Sequence, residues 1–109
     1  MNRNFSQTIT VHCAEPTALI ELIAQWDDAQ AATEIMGYMG TRVLADRAHP
    51  GRYLIVADFG VIDPDVSAAE EAARNNERPE TKAMAAAMTE IIDGAPEYHD
   101  FDEVYRTDP

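Results

Sequence analysis

The chain predicts an α+β domain of the split-βαβ, ferredoxin-like kind, and three observations lead there. From Met36 to Phe59, two apolar, β-prone runs flank a Pro50-Gly51 pair, which is a hairpin signature. An alternating segment precedes them, and an acidic segment with interspersed aromatics closes the chain. Stripes of apolar residues at helical spacing fill the two intervals between. The order is strand, helix, strand, strand, helix, strand, with the second helix broken in two: βαββαβ around a four-stranded antiparallel sheet.

Each element has its own reason. In Phe5 to Cys13, Ile9, Val11 and Cys13 alternate with Thr8, Thr10 and His12, and β-branched residues dominate, so this is the first strand. Glu15-Pro16 opens a helix, because proline at the first helical position loses no hydrogen bond. Leu19, Leu22, Ile23 and Trp26 follow at i, i+3, i+4 and i+7 and form its buried stripe. The second strand puts Tyr38, Gly40, Arg42 and Leu44 on one side, and Met39, Thr41, Val43 and Ala45 on the other. Pro50 presets φ for a turn, and Gly51 supplies the positive φ that a type II turn needs next. The third strand sets Tyr53, Ile55, Ala57 and Phe59 against Leu54, Val56 and Asp58. Asp63-Pro64 opens the next helix, and Ser67 with Glu70 has the spacing of a capping box. That helix ends at Asn75-Asn76, where asparagine tolerates the left-handed conformation. Pro79 restarts it; Met84, Ala87, Met88, Ile91 and Ile92 form the buried stripe, and Gly94 stops it. Glu97 to Arg106 is the fourth strand, acidic enough to be a protected edge.

Both faces of the hairpin are apolar, whereas an antiparallel sheet with one wet face shows cleaner alternation. The chain's own helices cover one face, so the other is expected to meet a second copy in a homodimer. The 109 residues fit one domain, 1–109. No apolar run reaches the roughly 20 residues of a membrane span. The first residues hold no apolar signal segment, so the expected location is cytoplasmic. Twenty acidic against eight basic residues give a formal charge of −12, which repels phosphate backbones and argues against nucleic acid as a partner. Cys13 is the only cysteine, so no intrachain disulfide forms.

With this element order, the chain resembles the dimeric α+β barrel superfamily, and within it the antibiotic-biosynthesis-monooxygenase-like domains. The residues carrying the resemblance are Gly37 to Asp46, the Arg52 to Phe59 strand and the Asn75-Asn-Glu-Arg-Pro79 break between helices. The resemblance implies two ferredoxin-like sheets packed into a shared barrel, with a ligand pocket between each sheet and its helices. It also implies cofactor-independent oxygenation of a small aromatic or polyketide-like compound. The alternative is a homodimer that binds a small ligand, or another protein, without catalysis. Many relatives carry a Trp late in the third strand, where this chain has Phe59. Many carry a His about one turn before the inter-helix proline, where this chain has Asn75. In the haem-degrading branch that histidine would hold iron, so the expectation here is no cofactor.

The candidate catalytic residues are Arg42, Asn75, Asn76 and His12. Arg42 sits among apolar and aromatic neighbours and is expected to share a face with Tyr38. A buried guanidinium needs an anion: a substrate carboxylate or phenolate, or, more commonly, one of the chain's own carboxylates. Asn75 and Asn76 can hydrogen-bond an enolate or phenolate, or simply end the helix. His12 can move a proton near neutral pH, or stand as a hydrogen-bonded structural histidine. The expected pocket is lined by Tyr38, Tyr53, Trp26, Phe59 and Met84, residues that serve equally as plain core. Cys13 reads more simply as a buried apolar residue than as a nucleophile. The His and Cys spacing fits no closed zinc site, and no calcium loop is present, so no metal is expected.

Overall fold

The computed structural model describes residues 3–31, 37–61 and 65–107. Seven elements follow in order: β1 (Phe5–His12), α1 (Thr17–Ala31), β2 (Tyr38–Ala45), β3 (Arg52–Phe59), α2 (Ala68–Asn76), α3 (Pro79–Ile91) and β4 (Glu97–Asp102). The strands form one sheet in the order β2-β3-β1-β4, and every neighbouring pair is antiparallel. This is the ferredoxin-like arrangement that the element order predicts.

The hairpin turn forms as its residues dictate. Arg52 N–H donates to His49 O at 3.1 Å, and Gly51 takes φ +88°. The register then pairs Ile55 with Ile9 on one side and with Val43 on the other. Side chains of that parity meet the helices. Ile9, Val11 and Ile55 pack against Leu19, Ile23 and Trp26 of α1 and Met84 and Met88 of α3 in the main core. A second cluster at the far end joins Phe5 and Phe59 to Ala68 and Ala72 of α2. The predicted helical stripes are therefore the buried ones. No helix among the described residues is long and apolar enough to cross a membrane.

Several boundaries and one face differ from the sequence expectation. The ladder slips between Tyr38 and Gly40, where Gly40 takes φ +137°. The extra residue, Met39, is a β-bulge, and a bulge inverts the parity of what precedes it. Tyr38 therefore pairs with Phe59 and faces the helices, while Arg42 pairs with Val56 on the opposite face. Arg42 is exposed there, not buried beside Tyr38. β4 stops at Asp102 rather than Arg106, because its partner β1 begins at Phe5, opposite Asp102. One further bond, Glu103 N–H to Asn4 O at 2.8 Å, closes that edge.

α2 starts at Ala68, with Ser67 Oγ accepting from Glu70 N–H at 3.1 Å; Asp63-Pro64, expected to open it, and Met36 lie outside the described residues. No described non-glycine residue has positive φ. The helix is not ended by a left-handed asparagine: Glu77 N–H bonds Arg74 O and Arg78 N–H bonds Asn75 O, each at 3.1 Å, and Pro79 begins α3. α3 in turn ends at Ile91, before Gly94.

The face away from the helices carries Ser6, Thr8, Thr10 and His12 of β1 and Arg52, Leu54, Val56 and Asp58 of β3, by register. Leu44 and Phe101 extend it onto the outer strands. Thr8, Thr10 and Val56 are buried by their neighbours alone. Leu44 and Phe101 remain 41% and 54% exposed. This face is more mixed than predicted, because the bulge moves Tyr38 to the helix side.

Candidate functional site

A cavity of about 50 Å³ lies between the sheet and the helices. Its floor is Gln7, Ile9, Thr41, Ile55, Ala57, Phe59 and Tyr98 from the strands; its roof is Ile23 and Trp26 of α1, Asn75 and Asn76 of α2, and Thr81 and Met84 of α3. The broken second helix makes this possible. An unbroken helix would run past the sheet, whereas the break at Glu77-Arg78 turns the end of α2 and the first turn of α3 onto the same spot.

Most of the wall is apolar, and its polar groups are distinct. The Trp26 indole N–H donates to Thr81 Oγ1 at 3.0 Å, tying α1 to α3. Asn75 is 3% exposed, and its Oδ1 is buried with no hydrogen-bond partner among the described residues. A buried carbonyl oxygen without a partner costs about 1–3 kcal/mol, so this atom is either a standing penalty or an acceptor waiting for a ligand or water. Behind the wall, Tyr38 stacks edge-on to Trp26 at 5.4 Å and tilted against Phe59 at 5.7 Å. Its hydroxyl donates to Asp27 Oδ1 at 2.6 Å and lies 2.6 Å from Thr41 Oγ1. Burial, with the Asp27 hydrogen bond added, pushes the Tyr38 phenol well above its ordinary range.

The structure brings some of the sequence candidates together and separates others. Asn75, Asn76, Trp26, Phe59 and Met84 all line the cavity. Tyr38 stands behind it, packed on Trp26 and Phe59. Tyr53 lies toward the hairpin end, paired with Val11 and Ala45, and borders a different groove with Thr10, Leu44 and Arg52. Arg42 and His12 are exposed on the opposite face of the sheet. The bulge explains Arg42; for His12, the strict alternation of β1 already placed it opposite Ile9 and Val11.

Thr41, Thr81, Gln7 and Asp27 were missed. Thr41 could be found only by locating the bulge, since the unbroken register sets it opposite Tyr38. Asp27 and Thr81 carry no local signal that pairs them with Tyr38 and Trp26. Cys13 is buried, its thiol pushed up by burial and by the nearby Asp93 and Glu15 carboxylates, which is the environment of an inert thiol. Among the described residues, no three His, Cys, Asp or Glu side chains group closely enough to hold a metal ion.

No family model and no curated protein matches the chain by sequence. Solved structures match it in shape. An antibiotic biosynthesis monooxygenase-like protein of Nitrosomonas europaea is 11% identical with a TM-score of 0.72, covering 99% of this chain and 97% of its own. Another, of Caulobacter crescentus, is 15% identical with a TM-score of 0.74, covering 95% and 92%. SnoaB, a cofactor-independent oxygenase of Streptomyces nogalater, is 16% identical with a TM-score of 0.69, covering 100% and 99%. At these identities the likeness is one of architecture: over nearly its whole length, this chain has the fold of the antibiotic biosynthesis monooxygenase-like proteins.

Proposed function

We propose that the chain binds a small, planar hydroxylated aromatic or polyketide-like molecule between its sheet and its helices, and oxygenates it without a cofactor. The observation that carries this reading is the buried, unpartnered Oδ1 of Asn75, a residue that lines a cavity walled chiefly by Trp26, Phe59, Ile23, Ile55 and Met84. Predominantly apolar walls with a few placed polar groups are the usual build of a small-molecule site. The cavity is small as it stands. A volume near 150 Å³ takes benzene, so a ring enters only if the wall gives, and Met84, with its flexible thioether chain, is the side chain best able to move.

The chemistry follows from what the wall holds. Tyr98 is the only titratable side chain among the described lining residues. The substrate itself must therefore be acidic enough to ionise, and the amides of Asn75, Asn76 and Gln7 would hydrogen-bond its oxygen. An electron-rich phenolate or enolate can reduce dioxygen directly. One oxygen atom enters the ring carbon as a new carbonyl, and the other leaves as water with the two hydrogens that the substrate gives up. The scarcity of acid-base groups also favours the second reading, a binder without catalysis.

Two measurements separate them. Titration of a panel of hydroxylated aromatics against Trp26 emission reads binding, since Trp26 is the only tryptophan; an oxygen electrode reads turnover. Binding with stoichiometric oxygen uptake supports the oxygenase, binding without uptake leaves the binder, and no binding by any member removes both. We propose also that the open face of the sheet packs against a second copy, as a barrel-forming homodimer.

A further inference from the structure

The cavity's polar wall has a direction. Thr41 lines the cavity, its Oγ1 lies 2.6 Å from Tyr38 Oη, and Tyr38 Oη donates to Asp27 Oδ1 at 2.6 Å. A carboxylate only accepts, so the single phenolic proton of Tyr38 is committed to Asp27. The proton between Tyr38 and Thr41 must then come from Thr41. A threonine hydroxyl has one proton and two lone pairs; with its proton pointed outward, Thr41 can turn only a lone pair to the cavity. The neighbouring Asn75 Oδ1 is a second acceptor without a partner.

We propose that the Asp27–Tyr38–Thr41 chain fixes this wall as a hydrogen-bond acceptor, so that the ligand is selected and oriented by an un-ionised hydroxyl or N–H, separate from the oxygen that ionises, which it donates to Thr41 Oγ1. Thr41 is the specificity-determining contact; Asp27 and Tyr38 act through it as positioning residues. The inference rests on the reading of this cavity as a ligand site. Two features hold the chain in that direction. Tyr38 is clamped between Trp26 and Phe59, so its hydroxyl cannot swing to another partner without breaking both ring contacts. Burial also keeps the phenol protonated, and therefore a donor to Asp27. An acceptor-only ligand would place two lone pairs face to face, which is the arrangement that lets a polar site reject a close analogue.

The test compares phenol with toluene, which replaces the hydroxyl by a methyl of similar size, using Trp26 emission in wild-type protein and in Thr41→Val and Asp27→Ala. The preference for phenol over toluene is expected to fall about three- to tenfold in Thr41→Val, the scale of one hydrogen bond. In Asp27→Ala, Tyr38 is freed to donate to Thr41 and reverse the chain, so anisole, whose oxygen accepts but cannot donate, should gain on phenol relative to wild type. Thr41→Val keeps a β-branched residue on a strand, and Asp27 is only partly buried, so both variants should fold; unchanged circular dichroism checks that. Wild-type binding of both ligands with an unchanged preference in Thr41→Val, or no gain of anisole on phenol in Asp27→Ala, overturns this inference and leaves the ligand site standing. A wild type that binds neither ligand overturns the inference together with the site.

Discussion

The Trp26 indole N–H donates to Thr81 Oγ1 at 3.0 Å, and both residues are buried. This one bond joins α1 to the first turn of α3 over the cavity. Thr81→Val keeps the shape and strands the indole N–H in an apolar site, so it should destabilise the fold by about 1–3 kcal/mol, seen as a fall of several degrees in Tm. Adding Trp26→Phe to Thr81→Val should cost less than the two single changes summed, because the second change removes the stranded donor. Chemical denaturation of the four proteins in the cycle measures the coupling directly.

Asn75 should trade stability for binding. Its Oδ1 is buried without a partner, and asparagine is a poor residue for a helix interior compared with leucine. Asn75→Leu removes the unpaired acceptor at similar volume and is expected to raise stability by about 1 kcal/mol while weakening binding of a hydroxylated aromatic. A variant that is both less stable and unchanged in binding would mean that the amide is satisfied in solution and has no role in the site.

How much of this was legible beforehand depends on range along the chain. The helical stripe from Leu19 to Trp26, the Pro50-Gly51 turn and the Ser67 cap are set by residues within a turn or two of one another, and each formed as read. The bulge at Met39 was hidden. Its signal is a pair of glycines, Gly37 and Gly40, that also fits an ordinary loop-to-strand transition. A slip of one residue carried Arg42 to the far face and Thr41 to the cavity, which is why Arg42 looked like a pocket residue and Thr41 did not. Trp26 with Thr81, and Tyr38 with Asp27, are contacts between elements that local spacing does not encode. Asn75 is visible in the sequence as a helix-ending residue, but its burial is not: it stays inside the helix with a non-left-handed backbone, and its side chain is buried.

Gly37 and Gly51 rank differently as sites for alanine, although both have positive φ. A Cβ on Gly37, at φ +85°, would collide with the Gly60 carbonyl oxygen, while one on Gly51, at φ +88°, would sit 3.3 Å from the Cys13 carbonyl oxygen. The backbone penalty is similar, about 1–2 kcal/mol. The collision differs, and the Gly60 N–H to Gly37 O bond at 2.6 Å fixes the two segments together. Gly37→Ala should therefore be the more damaging by a clear margin in denaturant midpoint, and comparable losses would show that the strand end opens at little cost.

Stability should fall in alkaline solution through two named groups. Cys13 and Tyr38 both have their pKa raised by folding, from ordinary values of 9.0 and 10.0. The folded state then holds protons that the unfolded chain releases, so stability is fully present below those ordinary values and is lost as pH rises through and beyond them. Denaturation midpoints should drop first near the thiol range and more steeply above about pH 10. Tyr38→Phe should flatten the second part of that slope, and Cys13→Ala the first. At neutral pH, Cys13 should resist thiol reagents until the protein unfolds.

The open face of the sheet is where a second copy would pack. Leu54 and Val56 at its centre, with Leu44 and Phe101 on the outer strands, make an apolar patch that no helix covers among the described residues. Packing it against a second copy would bury that patch, but it also brings together two chains of formal charge −12 each. Repulsion of that kind is screened by salt, while apolar burial is not weakened by it. Sedimentation should therefore show a dimer whose association tightens as salt is raised from low ionic strength. Leu54→Glu should shift it to a monomer with unchanged circular dichroism, because it adds charge to the middle of the patch while leaving the helix-side core intact. A wild-type chain that sediments as a monomer at every salt concentration would remove the barrel assembly, and the mixed polar character of Arg42, Arg52 and Asp58 on that face would then be the ordinary surface of a sheet that faces water.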